Sequence, residues 1–143
     1  MKRYQIGVIG LGARGESFVR TLHAGTSRAE LCGICDIDAD RLEKFSAYCG
    51  VRDVPAFTDP AAFFNRPELD GVIITVPDFA HRDVALQAIA AGKHFYLEKP
   101  MDVTLERCRE ILRAARATDV RSCMGFNMRL GAGYARMKEI VAS

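Results

Sequence analysis

The chain has 143 residues, 49% apolar and 27% charged, with 20 basic residues against 18 acidic ones for a net charge of +2. That size suits one domain with one real core, and so even a charge balance gives no reason to expect nucleic acid or a membrane surface as a partner. No apolar run approaches the roughly 20 residues of a membrane span, and five cysteines, an odd number spread along the chain, fit free thiols in a reducing cytoplasm.

The opening "MKRYQIGVIG" sets two cations before an apolar stretch, as a leader peptide would. Gly7 and Gly10 interrupt that stretch and no small-residue cleavage site follows, so residues 4–10 read as a first strand. A helix follows from about residue 13 to 24, then a second strand over 29–36. Cys32 and Cys35 within it have C-x-x-C spacing. A redox or zinc site needs such a pair on a loop or helix start, and zinc needs two further ligands. Inside an apolar run ending in Asp36 they read as small strand residues, and no metal site is expected.

Asp38 caps the helix "ADRLEKFSAYC", whose Leu42, Phe45, Ser46 and Cys49 fall at i, i+3, i+4 and i+7 before Gly50 stops it. A short strand over 54–57 precedes "DPAAFF", with Asp59 as N-cap and Pro60 as first helical residue. "GVIITV" (71–76) is a β-branched run without a polar face, as a strand covered on both sides requires. A helix over 81–91 ends at Gly92, "KHFYLE" (93–98) is the next strand, and Thr104 opens "LERCREILRAARAT". "VRSCMGF" (120–126) supplies a sixth strand and "GYARMKEIVA" a last helix. Strict alternation of strands and helices predicts right-handed βαβ units and an α/β fold, a doubly wound parallel sheet of six strands.

"GLGARG" (10–15) fits G-x-G-x-x-G. The pattern is weak alone, but here it follows a strand, opens a helix and precedes an acidic strand end at Asp36, the context of a dinucleotide-binding fingerprint. Gly10 makes the tight turn, Gly12 lets a pyrophosphate approach the backbone, and Gly15 lets helix and strand pack closely. The phosphates would meet the free N–H groups of the helix start at Ala13 and Arg14, with the Arg14 side chain adding a cation. Asp36 can accept hydrogen bonds from both ribose hydroxyls of the adenosine half and would repel a 2′-phosphate, which favours NAD over NADP. Arg41, one turn into the next helix, either softens that preference by pairing with a phosphate or is a solvated charge near Asp38.

With the fingerprint, "ITVPDFAH", "YLEKPM" and "GFNMR" in this order, the whole chain resembles the nucleotide-binding domain of the glucose–fructose oxidoreductase/inositol dehydrogenase family (Gfo/Idh/MocA). Glu-Lys-Pro after the fifth strand is the most specific element. The resemblance implies a Rossmann domain followed by a second α/β domain that holds much of the substrate site and lies outside this chain. It implies hydride transfer between a nicotinamide and a hydroxyl carbon of a small-molecule substrate, commonly a sugar or polyol. It makes Lys99 the motif lysine that contacts substrate and assists proton transfer, with Glu98 and Pro100 completing the motif. Val76, Pro77 and His81 fall in the fourth-strand loop beside the cofactor, and Asn127 and Arg129 in the segment after the sixth strand. Homo-oligomers, formed through the second domain, are the family habit. "LGAG" (130–133) departs from the aromatic and polar-Pro residues the family usually shows there.

Open doubly wound sheets bind ligands at the carboxyl ends of their strands. Gly10, Asp36, Pro77, Lys99 and Asn127 lie at or just past such ends, so they should converge on one edge. A cation beside the reacting oxygen steadies a developing alkoxide, and a lysine there can relay the hydroxyl proton. Two alternatives accompany this reading. A non-catalytic dinucleotide-binding or regulatory module would keep Gly10, Gly12 and Asp36 without needing Lys99. Tyr134 and Lys138 match the Tyr-x-x-x-Lys of short-chain dehydrogenases, but on the last helix they read as amphipathic surface. For His81, packing or capping of the helix start competes with cofactor contact.

Overall fold

The structure, a computed structural model, describes residues 2–142. In chain order its elements are β1 (Tyr4–Ile9), α1 (Ala13–His23), β2 (Ala29–Cys35), α2 (Ala39–Cys49), β3 (Ala56–Phe57), α3 (Pro60–Phe64), β4 (Gly71–Ile74), α4 (His81–Ala90), β5 (His94–Leu97), α5 (Leu105–Arg116), β6 (Ser122–Met124) and α6 (Ala132–Ala142). Short 3-10 turns occupy Asp78–Ala80 and Asn127–Leu130. The six strands form one parallel sheet in the order β3-β2-β1-β4-β5-β6. The chain reverses direction across the sheet between β1 and β4, where an open α/β sheet leaves a crevice at its carboxyl edge.

Period-two alternation sends neighbouring strand residues to opposite layers. Val8 and Ile34 join Val19, Leu22, Leu42 and Phe45 beneath α1 and α2. Ile9, Cys35, Val72, Ile74, Phe95 and Leu97 join Phe63, Val84, Ala88 and Ile111 beneath α3, α4 and α5. Both layers are apolar, which is why the strands read as continuous hydrophobic runs. Phe63 is fully buried, and burying such a side chain contributes roughly 1.5–3 kcal/mol.

Side-chain caps start three of the helices as the sequence suggests. Asp38 accepts from the Arg41 N–H at 3.0 Å, Asp59 from those of Ala61 and Ala62 at 2.9 and 3.3 Å, and Thr104 from that of Arg107 at 3.3 Å. Cys32 and Cys35 lie buried inside β2 as small strand residues, and burial pushes the Cys35 thiol up to about 12. The strand expected over 71–76 ends at Ile74. Just past it the Thr75 N–H still donates to the Ile9 carbonyl at 2.9 Å, while the Thr75 hydroxyl turns back toward the carbonyls of Ile9 (3.1 Å) and Gly10 (2.7 Å). The last helix, α6, packs against the Asn127–Leu130 turn and buries none of its residues.

α1 is held unusually close to the end of β1. A Cβ placed on Gly15 would collide with the Gly10 carbonyl oxygen and touch the Thr75 hydroxyl. One on Gly12 would meet nothing within 4 Å. Gly15→Ala is therefore expected to cost about 3 kcal/mol or more by overpacking. Gly12→Ala meets no obstruction and loses only the N-cap preference for glycine over alanine, so it should cost about 1 kcal/mol. Urea unfolding of the two variants measures both; equal losses would contradict this packing.

Candidate functional site

The crevice at the β1/β4 reversal is a cleft of about 660 Å³. Its floor is the β1–α1 loop and the start of α1, Gly10 to Arg14; one wall is Asp36, Ile37, Asp38 and Arg41, and the other Thr75 to Pro77 with Phe79 and Ala80. Gly10 adopts a φ of +91° with its Cα against the backbone of Thr75 and Val76, so a side chain there would be both strained and obstructed. Gly12 precedes α1 without any side-chain cap. The first-turn N–H groups of α1 therefore keep their donors for a ligand at the positive end of the helix dipole.

Asp36 ends β2 and is 5% exposed. One carboxylate oxygen accepts from the Leu11 N–H at 2.9 Å and the other from the Asp38 N–H at 3.0 Å. These bonds aim the carboxylate at the cleft and leave it unfilled acceptor sites. Arg41 is half exposed, 3.6 Å from Asp36 and 3.5 Å from Asp38, and it also lines the cleft. It thus sits between the two roles the sequence leaves open for it.

Within the chain the Arg14 guanidinium has a carboxylate partner. Its Nε donates to Glu98 at 2.8 Å, joining the β1–α1 loop to the Glu-Lys-Pro turn 84 residues later. With its amide turned to suit both neighbours, Asn127 accepts from Arg14 at 2.9 Å and donates to the Gly125 carbonyl. Glu98 is 5% exposed and also accepts from the Tyr96 hydroxyl at 3.2 Å and the Lys99 N–H at 3.1 Å. Burial by itself would raise the Glu98 pKa, but the hydrogen bonds from Arg14 and the Lys99 N–H, with the Arg14 charge, bring it below its ordinary value. Burial and the neighbouring Glu98 charge push the Tyr96 phenol up.

Of the residues the sequence singles out, the cleft brings together Gly10, Gly12, Ala13, Arg14, Asp36, Arg41, Val76 and Pro77. Gly15 lies beneath it as a packing contact. Glu98 and Asn127 reach it through Arg14. Lys99 is exposed and does not line the cleft, and its ammonium has no partner among the described residues. His81 does not open onto the cleft. It is fully buried, with Nδ1 2.7 Å from the Pro100 carbonyl and Nε2 3.0 Å from the Val76 carbonyl. Both ring nitrogens are occupied by backbone, so of the expected roles packing fits this geometry and a direct contact with a ligand in the cleft does not.

The Lys99–Pro100 peptide is cis. Thr75, Ile37 and Phe79 belong to the cleft although sequence reasoning passed over them. Ile37 and Phe79 are 80% and 67% exposed, and an apolar residue directly after the strand-end acid was the available signal for the first.

Comparison with known proteins bears on the family and the fold. The model of the Gfo/Idh/MocA oxidoreductase family, with its NAD-binding Rossmann fold, matches residues 4–126. The chain belongs to that family. It is 36% identical over 138 residues to inositol 2-dehydrogenase 3 of Saccharopolyspora erythraea, covering 96% of this chain and 40% of that protein. It is 32% identical over 142 residues to the inositol 2-dehydrogenase of Salmonella typhimurium, covering 96% and 41%. Among solved structures, myo-inositol dehydrogenase from Lactobacillus casei, in complex with NAD(H) and myo-inositol, superposes with a TM-score of 0.89 at 26% identity over 98% of this chain and 41% of that one. A probable dehydrogenase from Thermotoga maritima gives 0.85 at 29% identity, over 99% and 41%. The chain thus spans about two fifths of the length of these relatives.

Because the folded pKa of Glu98 is depressed, its ionised form stabilises the fold fully above the ordinary carboxylate range and loses that effect as pH falls through the lower folded value. The difference in unfolding free energy between the wild type and Glu98→Gln is expected to be flat from neutral pH to about 5 and to shrink below about 4. Urea denaturation across that range checks it; a difference that grows with acidity would contradict the pairing.

Proposed function

We propose that this chain is the nucleotide-binding domain of an NAD-preferring dehydrogenase acting on a hydroxyl carbon of a cyclitol, sugar or related polyol. The observation that carries the reading is Asp36. It is a buried carboxylate held by two backbone N–H groups at the second strand's end, on the same cleft as the uncapped start of α1. Family membership supports the dinucleotide, and the inositol dehydrogenases among the relatives support the substrate class.

The residues present fit a dinucleotide. Gly12, Ala13 and Arg14 would hold the pyrophosphate, and Asp36 would take the adenosine ribose hydroxyls and repel a 2′-phosphate. Ile37 and Phe79 would flank the adenine with apolar surface, and Val76 and Pro77 would border the nicotinamide half. A bound nicotinamide supplies the hydride acceptor or donor. As the substrate C–H bond gives up its hydride and the C–O bond becomes a carbonyl, the hydroxyl proton must leave. Lys99, an exposed and unpaired ammonium at the end of β5, would lie beside that oxygen and steady its developing charge. The substrate site would be completed by a second domain, through which homo-oligomers would also form. Free thiols at every described cysteine accord with work in a reducing cytoplasm.

Titrating the chain with NADH, followed by fluorescence, should show saturable binding; none in folded protein would overturn the cofactor assignment. Asp36→Ala should narrow the affinity gap between NAD and NADP by about tenfold, near 1.4 kcal/mol, and an unchanged ratio would remove its specificity role. In a polypeptide carrying a substrate domain as well, Lys99→Ala should lower kcat by about a hundredfold or more while sparing the KM for NAD. Unaltered turnover there would favour the non-catalytic module instead.

A further inference from the structure

The turn that carries Lys99 ends on a buried acid that no motif marks. Asp102 has a side chain with no exposed surface. One oxygen accepts from the Arg82 N–H at 2.9 Å. The other accepts from the Val103 N–H at 2.7 Å and lies 2.8 Å from Nε of Arg107 on α5. Arg82 is the second residue of α4, and that helix has no capping side chain of its own because Ala80 precedes it. Asp102 thus caps α4 from 20 residues further along the chain.

The same helical turn grips the loop a second time, since His81, one residue before Arg82, reaches the Pro100 carbonyl. Upstream, the Glu98 N–H donates to the Ile74 carbonyl at 3.1 Å and the Glu98 carboxylate receives the Lys99 N–H. Lys99 therefore springs from a backbone tied on both sides, to β4 behind it and to α4 ahead. Arg107 also donates to the Phe79 carbonyl at 2.8 Å, so the Asp102 partner holds the wall of the dinucleotide cleft as well.

An acid is an expensive way to fill a buried corner, because its desolvation must be offset by well-placed donors. Here those donors connect the lysine turn to the helix that follows the cleft wall. We propose that Asp102 is a positioning residue for Lys99, fixing that side chain relative to a dinucleotide bound in the cleft. The inference rests on the dehydrogenase reading given above.

The chain has five lysines, so reductive ¹³C-dimethylation gives few enough NMR signals for Lys99 to be followed alone. Saturating NADH is expected to shift the wild-type Lys99 signal and leave those of Lys2 and Lys138 in place. Asp102→Ala should lose most of that shift, while Asp102→Asn, which keeps one oxygen for a backbone donor, should keep part of it. NADH affinity should fall much less than the Lys99 shift in both variants, since the phosphate loop and Asp36 are untouched and Arg107 keeps its own bond to the Phe79 carbonyl. Should the alanine variant fail to fold, the step from Asp to Asn decides. A full wild-type shift in either folded variant, or a wild-type Lys99 signal indifferent to bound NADH, overturns the proposal. So does an NADH affinity that falls in step with the shift, which would mean general loosening. Absence of NADH binding by the wild type is a separate outcome: it sinks the dinucleotide reading and the positioning role with it.

Discussion

Everything on the working edge of this domain depends on how closely α1 approaches the end of β1. Gly15 lies so near the Gly10 carbonyl that no side chain fits between them, and the Thr75 hydroxyl ties that same carbonyl to the end of β4. Three segments from different parts of the chain therefore meet at one point. The contact puts the uncapped start of α1 at the floor of the cleft and brings Arg14 within reach of Glu98. A helix set farther back would leave its N–H groups away from the cleft and Glu98 without its guanidinium. The packing constraint thus comes before the electrostatics, which are arranged around it.

Three acids recur along this edge, Asp36 after β2 and Glu98 and Asp102 after β5, all nearly or fully removed from solvent. Each accepts at least one backbone N–H. The donors are Leu11 and Asp38 for the first, Lys99 for the second, and Arg82 and Val103 for the third. A main-chain donor cannot swing away as a side chain can, so each carboxylate is oriented as well as satisfied. Glu98 and Asp102 add a guanidinium within 3 Å, and Asp36 lies farther from its own, with Arg41 at 3.6 Å. The acid best placed to meet a ligand is thus the one least neutralised by a neighbouring cation.

Local features made the architecture legible. The β-branched run at 71–76, the caps at Asp38, Asp59 and Thr104, and the glycines of the loop each act within a few residues; the caps and glycines appear where the pattern puts them, and the strand appears two residues shorter, ending at Ile74. What escaped were relations across the sheet. Arg14 follows the glycine pattern, which points toward a phosphate; its Glu98 partner is 84 residues away and visible only once β1 and β5 share a sheet. Asp102 looks like an ordinary turn acid until α4 is seen to lack a cap of its own. His81 stands out by its type and its place at a helix start, yet whether such a ring faces a cleft or the protein depends on the loop that closes over it, here the one containing Pro100.

The start of α4 gives these long-range contacts a common meaning. The residues just before it, Phe79 and Ala80, form a wall of the cleft, and its first two residues hold Pro100 and Asp102. The ion pairs of Arg107 with Asp83 and Arg82 with Glu110 fasten α4 to α5. Exposed pairs of this kind contribute little stability singly, but together they make the two helices one support. Replacing a buried ion pair by apolar residues of similar size is often neutral or stabilising, so the Asp102–Arg107 pair is poorly explained as a source of stability. It is better explained as geometry. Cleft wall and lysine turn are both held at the start of α4, so in the proposed role the distance between a bound nucleotide and Lys99 would be set by the end of a helix rather than by a loop.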